Sequence, residues 1–224
     1  MSVDYAKAAP SALGKYVGEF IGTFVLVFTV GSAVASGSSL APLAVGSILM
    51  VMVYAGAHVS GGHYNPAVTL AVLVRRRIGI KDALAYVIAQ FGAAVLAALA
   101  VHAFIDPAAA AKVATLTLSG STLVAAVVGE LIFTFALCYV VLNVATSKDN
   151  PNNSFYGVAV GFTVVAGGFA VGALSGGAFN PAVSLGAAVM GLFAWSTLWV
   201  YLVVQVIGGT VAGVTFVALN LGDR

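Results

Sequence analysis

The chain has 224 residues, 61% of them hydrophobic and 7% charged, with a mean hydropathy of +1.09. No single soluble core hides that much apolar side chain from water, so a membrane is the solvent that fits. Nine Lys and Arg against seven Asp and Glu give a net charge of +2, too sparse and scattered for a phosphate-tracking surface, which excludes nucleic acid as a partner.

The opening segment Met1–Tyr16 is studded with polar residues (Asp4, Lys7, Lys15). The apolar stretch after it is longer than the apolar region of a secretory signal, so it reads as a retained first span. A helix needs about 20 apolar residues to cross a hydrocarbon core of roughly 30 Å. Six segments meet that requirement: Val17–Gly37, Leu40–Ser60, Ala83–Ile105, Thr122–Val144, Phe155–Leu174 and Trp195–Leu219. Cys138 lies within the fourth and reads as a small buried hydrophobe. Between spans two and three, and again between five and six, lie apolar segments too short to cross, Pro66–Val74 and Pro181–Leu192, each opening with Pro directly after Asn. A helix of about ten residues rises only ~15 Å, so each is expected to enter the membrane halfway, meet its counterpart and return.

The halves repeat. Gly18-Glu19 opens span one as Gly129-Glu130 opens span four, and Asn65-Pro66-Ala67-Val68 matches Asn180-Pro181-Ala182-Val183. The separations are 111 residues for Glu19 and Glu130, and 115 for both Asn65/Asn180 and Gln90/Gln205. Repeats of approximately 16–105 and 122–219 are therefore expected within one channel domain, 1–224. Three spans per half is an odd number, so the halves insert with opposite topology, and short interrupted helices at matching places mark a mid-membrane permeation site. With both termini cytoplasmic, Lys7, Lys15, Arg75, Arg76, Arg77, Lys81, Lys148 and Arg224 fall inside and only Lys112 outside, as the positive-inside rule requires. The short termini and lack of targeting extensions favour a prokaryotic plasma membrane.

Half-helices starting at Pro66 and Pro181 leave unpaired N–H groups and a positive dipole end near the midplane, where Asn65 and Asn180 add amide donors. A water would give its oxygen to those donors, whereas hydronium or a metal cation would be repelled. Taken singly, each Asn is a helix cap; as a matched pair they read as a pore waist. The glycine-containing stretches before each Asn are irregular backbone, tolerable in a membrane only where carbonyls line a watery cavity. The expected acceptors are the carbonyls of Gly61, Gly62, His63, Tyr64, Gly176, Gly177, Ala178 and Phe179.

Ser60-Gly61-Gly62-His63-Tyr64-Asn65-Pro66-Ala67-Val68-Thr69 and Ser175-Gly176-Gly177-Ala178-Phe179-Asn180-Pro181-Ala182-Val183-Ser184 resemble the two signature loops of the aquaporin, or major intrinsic protein, family. The resemblance runs from about Tyr16 to Gly213. It implies an all-α right-handed bundle of six transmembrane helices and two re-entrant half-helices, assembled as a homotetramer with one pore per subunit in the lipid bilayer, passing water and small neutral solutes without cofactor or metal. Glu19 and Glu130 are intramembrane carboxylates, which need partners. Symmetric placement and the resemblance favour bracing of the re-entrant loop in each half over a proton relay. Gln90 and Gln205 are grouped with them as loop-bracing residues. His58 is expected to support the loop, with pore lining as the alternative; His63 is expected to face the pore, where its protonation would modulate permeation. Gly18/Gly22 and Gly208/Gly209/Gly213 read as close helix contacts, and Tyr16, Tyr156, Trp195 and Trp199 as interfacial anchors.

The sequence departs from the family at the outer constriction. Where most members carry Arg, three residues after the second Asn, this chain has Val183; counting from the asparagines places Val45, Gly168 and Gly177 at the other constriction positions. That ring is small and apolar, which predicts a wider, less polar mouth than that of a strict water channel. Val at this place resembles some plant vacuolar members and suggests ammonia, urea or hydrogen peroxide beside water. Ser184 and Ala188 look like the water-channel branch, while Leu202 resembles the glycerol branch. The leading reading is a passive channel for water and small neutral solutes. A secondary transporter would need a coupling-ion site and a junction-forming relative would add no permeability. An enzyme would need a nucleophile–base pair, and the sequence offers none.

Overall fold

Ser11 starts the first helix by accepting the Gly14 N–H on its side-chain oxygen at 3.0 Å. In the computed structural model, which describes residues 10–105 and 115–223, this helix, α1, runs Ala12–Ala35 and begins five residues before the expected span. Among the described residues the further helices are α2 (Ala41–Ser60), α3 (Pro66–Val74), α4 (Ile80–Phe104), α5 (Gly120–Val141), α6 (Tyr156–Ser175), α7 (Pro181–Val189) and α8 (Trp195–Leu219). A π-helical turn, Leu142–Thr146, continues α5. Six of these helices are long and apolar enough to cross a membrane, and the chain is a multi-pass membrane protein. Lys7, Lys112 and Arg224, like Asp4, lie outside the described residues.

Charge and glycine explain the shifted boundaries. Helix α4 starts at Ile80 and takes Lys81 and Asp82 into its first turn, where Asp82 faces the positive helix end. Asp82 also accepts the Tyr16 hydroxyl at 2.7 Å and pairs with Lys15 at 3.7 Å. Helix α7 ends at Val189, short of the expected Leu192, because Gly191 turns left-handed (φ +76°) and the N–H groups of Leu192 and Phe193 fold back onto the Ala187 carbonyl.

Packing follows the repeat. Helix α1 packs on α2 and α4, and α5 on α6 and α8, while each half-helix packs most extensively on the last full helix of the opposite half, α3 on α8 and α7 on α4. The halves are therefore interlocked. Where α2 crosses α6, Gly46 meets Gly161, and a methyl on either would overlap the other's carbonyl oxygen; without lipid-excluding force between helices, such close backbone approach supplies the attraction. Large apolar side chains such as Ile88, Val124 and Trp199 stay exposed on the outer surface of the chain. Tyr156, the first residue of α6, packs edge-on against Tyr54 with ring centroids 5.0 Å apart.

Candidate functional site

Between the halves lies a cavity of about 430 Å³. Pro42, Val45, Gly168, Gly172 and Phe193 line its end away from the termini, and Ala57, Gly61, Val141, Ala145 and Tyr156 the other; Asn65 and Asn180 both line the stretch between. Each asparagine sits at the cap of its half-helix. Asn65 Oδ1 accepts the Ala67 N–H at 2.8 Å, and Asn180 Oδ1 accepts those of Ala182 at 2.9 Å and Val183 at 3.4 Å. Proline follows each, with its ring where a first-turn N–H would have no partner anyway.

The amide nitrogens cross the interface. Asn65 Nδ2 donates to the Phe179 carbonyl and Asn180 Nδ2 to the Tyr64 carbonyl, both at 2.9 Å. An amide has two N–H bonds, so one bond per asparagine fixes its rotamer while the second hydrogen remains for a permeant. Two acceptors expected along the wall, the carbonyls of Tyr64 and Phe179, thus already serve this crossing. Tyr64 and Phe179 hold left-handed conformations (φ +49° and +48°), a strain that bulky residues bear only where surrounding contacts fix them. Their rings supply those contacts: Tyr64 fills the space that a methyl on Gly22 would need, and Phe179 that of Gly167.

The re-entrant loops hang on the two carboxylates. Glu19, fully buried, accepts Ser60 Oγ (2.7 Å), His63 N (2.9 Å), Tyr64 N (2.7 Å) and Gln90 Nε2 (2.8 Å). Glu130 accepts Ser175 Oγ (2.8 Å), Ala178 N (3.0 Å), Phe179 N (2.8 Å) and Gln205 Nε2 (2.8 Å). Four donors each offset the cost of a buried carboxylate. The glutamines reach on to the half-helices, Gln90 to Thr69 Oγ1 at 3.0 Å and Gln205 to Ser184 Oγ at 2.9 Å. Sequence reasoning missed the tyrosines behind them: the Tyr86 hydroxyl donates to the Ser60 carbonyl at 2.6 Å and the Tyr201 hydroxyl to that of Ser175 at 2.7 Å. The 115-residue offset already used for Asn65 and Asn180 relates Tyr86 to Tyr201, Ser60 to Ser175 and Thr69 to Ser184, and was the signal that could have found them.

All four counted constriction positions, Val45, Gly168, Gly177 and Val183, line the cavity, as do Gly61, Gly62, Gly176 and Ala178. The imidazole of His63 stands between this cavity and a wider vestibule on the side of the termini. It shares a hydrogen bond with Thr69 Oγ1 at 3.1 Å and meets the Tyr86 ring edge-on at 5.2 Å. His58 does not join the loop-bracing set: it is exposed and, among the described residues, makes no side-chain hydrogen bond. Helix α2 buries Gly46, Leu49, Val53 and Ser60, and about 100° per residue turns position 58 to the opposite face.

The cavity lining is mostly apolar side chains, among them Leu26, Val45, Leu49, Val164 and Val183, with Asn65, Asn180 and His63 as polar ones. The amino-terminal ends of both half-helices meet at these asparagines, where the helix dipoles are positive.

The model of one family, described as Major intrinsic protein, matches residues 6–216. The relative called glycerol uptake facilitator protein-like 6, from Lactiplantibacillus plantarum, is 40% identical over 220 residues, covering 94% of this chain and 99% of the relative. Aquaporin TIP1-2 from Zea mays is 38% identical over 198 residues, covering 87% and 76%. Among solved structures, the X-ray structure of the aquaglyceroporin from Plasmodium falciparum superimposes with a TM-score of 0.78 at 25% identity, covering 92% of this chain and 96% of that one.

Proposed function

The chain belongs to the major intrinsic protein family, and on that footing we propose that it is a passive channel, not an enzyme, conducting water and small neutral solutes through a pore whose waist is Asn65 and Asn180. The observation that carries this reading is the reciprocal bonding of those two amides across the halves, inside a continuous cavity. It pre-orients donors at the one place where a permeant must leave its bulk partners, at no reorganisation cost as each molecule passes. In this reading the halves, approximately 16–105 and 122–219, are inverted repeats of one channel domain. Val45, Gly168, Gly177 and Val183 form the constriction, and free carbonyls of Gly61, Gly62, His63, Gly176 and Ala178 line the approaches. Glu19, Glu130, Gln90 and Gln205 hold the loops.

The apolar constriction supports solutes beyond water: no guanidinium occupies the Val183 position to fill the opening and tax uncharged molecules. Names of relatives that refer to glycerol uptake and to aquaporins support the same range, with ammonia, urea and hydrogen peroxide as further candidates. We place the channel in the cell membrane as a homotetramer with both termini cytoplasmic, supported by Lys15, Arg75, Arg76, Arg77, Lys81 and Lys148 all lying on that side. The test is stopped-flow light scattering of proteoliposomes challenged with impermeant sucrose, then with glycerol, urea and hydrogen peroxide. Accelerated water flux with low activation energy and faster entry of at least one solute is expected. Vesicles no faster than protein-free ones refute the reading.

A further inference from the structure

We propose that Phe193, with Leu116, forms a specificity-determining collar at the outer mouth, setting the size limit for neutral solutes that the small ring of Val45, Gly168, Gly177 and Val183 leaves open. The collar rests on the channel reading above and names a further pair of residues for it.

Both side chains line the cavity, and both converge on Gly176, the first residue of the outer re-entrant loop. A methyl on Gly176 would overlap the Phe193 ring and lie 3.5 Å from Leu116 Cδ2. Gly176 is left-handed (φ +83°), so glycine meets a backbone need and a space need there at once. Behind the ring, Phe193 stacks on Tyr201 with centroids 4.5 Å apart and planes at 18°, and the Tyr201 hydroxyl is itself tied to the Ser175 carbonyl. Leu116 is stitched in place by backbone: Leu116 N donates to the Leu192 carbonyl at 2.8 Å, and Ala194 N to the Leu116 carbonyl at 3.1 Å. Beside them Thr115 Oγ1 donates to the Gly191 carbonyl at 2.8 Å. The connection between the halves is thereby pinned to the tip beyond α7.

A ring backed by Tyr201 on one face and Gly176 below has nowhere to retreat when a thick solute arrives, since packed interiors resist small displacements. The acceptors beside it lie on one wall only, so a solute entering here trades water on its remaining faces for phenyl and isobutyl surface. The two mouths differ in this respect. At the inner loop, the matching Gly61 is approached by His63 Nε2, which lies 3.2 Å from where a methyl would sit. The outer mouth is apolar where the inner one is polar, and discrimination by thickness belongs to the outer one.

The experiment compares Phe193→Ala, Phe193→Leu, Leu116→Ala and Phe193→Trp with the parent in proteoliposomes, using water, glycerol, erythritol and xylitol, after each variant is shown to be monodisperse. Removing a ring's worth of apolar contact should raise the ratio of erythritol to water permeability by about tenfold or more in Phe193→Ala. Leu116→Ala should raise it less, and Phe193→Trp should lower the glycerol to water ratio. Phe193→Leu, which keeps an apolar filler, reads the same widening if the Ala variant fails to fold. A conducting parent whose ratios are unmoved by every folded variant overturns the collar alone. A parent no more permeable than protein-free vesicles overturns the channel reading and the collar with it.

Discussion

Asn65 and Asn180 hold each other's halves in register: each gives one amide hydrogen to the residue just before the other, Asn65 to the Phe179 carbonyl and Asn180 to that of Tyr64, at the same 2.9 Å. Their own carbonyl oxygens cap their own half-helices. Every polar atom of the two side chains is thereby committed except one hydrogen apiece, so the direction of the remaining donors is set by the fold and not by the permeant.

Replacing Asn180 with Asp keeps the cap but removes the donor to Tyr64 and sets a carboxylate beside a carbonyl oxygen. A lost buried hydrogen bond costs about 1–3 kcal/mol, so the melting midpoint in detergent should fall. The added negative charge offsets the two positive helix ends, and sodium or proton flux, read with an ion-sensitive dye in vesicles, should rise above that of the parent. An ion flux equal to the parent's would contradict this account of the waist.

Val183→Arg fills the constriction with a guanidinium facing the cavity that Val45, Gly168 and Gly177 also line. Glycerol and urea permeability should drop by about tenfold, the scale on which a pocket discriminates against one surplus methylene, with a smaller drop for water. Equal fractional losses of water and solute would mean that the position does not select.

Glu19→Gln and Glu130→Gln test the two loop anchors. Each carboxylate accepts two backbone N–H groups, a hydroxyl and an amide; a glutamine offers one acceptor oxygen and turns its own N–H groups toward donors. Leaving a buried donor unpaired costs about 1–3 kcal/mol, and the repeat predicts similar losses in the two halves. A proton relay at Glu19 or Glu130 would instead leave stability near that of the parent and change proton flux.

The fold was legible because it is written in composition and spacing: six apolar runs, two prolines after asparagines, and an offset of 115 residues that recurs at Asn65/Asn180 and Gln90/Gln205. A backbone that must satisfy itself in lipid leaves little freedom beyond helices. The side chains behind the loops were harder to read. Tyr86 and Tyr201 look like ordinary aromatic residues of apolar helices, and only their hydroxyls, reaching Ser60 and Ser175, reveal their task. His58 was misjudged because proximity along the chain to the signature loop says nothing of helix face. Phe193 and Leu116 meet through a parallel bridge between distant segments, for which no local pattern exists.

Asp223, beyond the end of α8, ties three cationic side chains together on the side of the termini. Its Oδ1 lies 2.8 Å from Arg75 Nη2, 3.2 Å from Arg77 Nη2 and 3.8 Å from Lys148 Nζ, and its Oδ2 accepts the Lys148 backbone N–H at 2.9 Å. Arg77 and Lys148 are well exposed, so those two pairs contribute little. Arg75 differs: it is buried, its guanidinium lies 4.7 Å from the Phe216 ring centroid, and among the described residues its Nε and Nη2 have no hydrogen-bond acceptor. The Arg75–Asp223 contact is thus an ion pair off the hydrogen-bonding axis, and the nearby carboxylate compensates a charge that water does not reach. The Lys148 N–H first, and then Arg75, hold the Asp223 carboxyl below its ordinary value against the opposing effect of desolvation. A carboxyl whose folded value is depressed adds stability that is complete above the ordinary carboxylate range and disappears as the pH falls through the folded value. Asp223→Asn should therefore lower the melting midpoint at neutral pH, and the gap between variant and parent should close as the pH is taken below the carboxylate range. A gap that persists unchanged at low pH would show that the loss in the variant does not come from the carboxylate charge on Arg75.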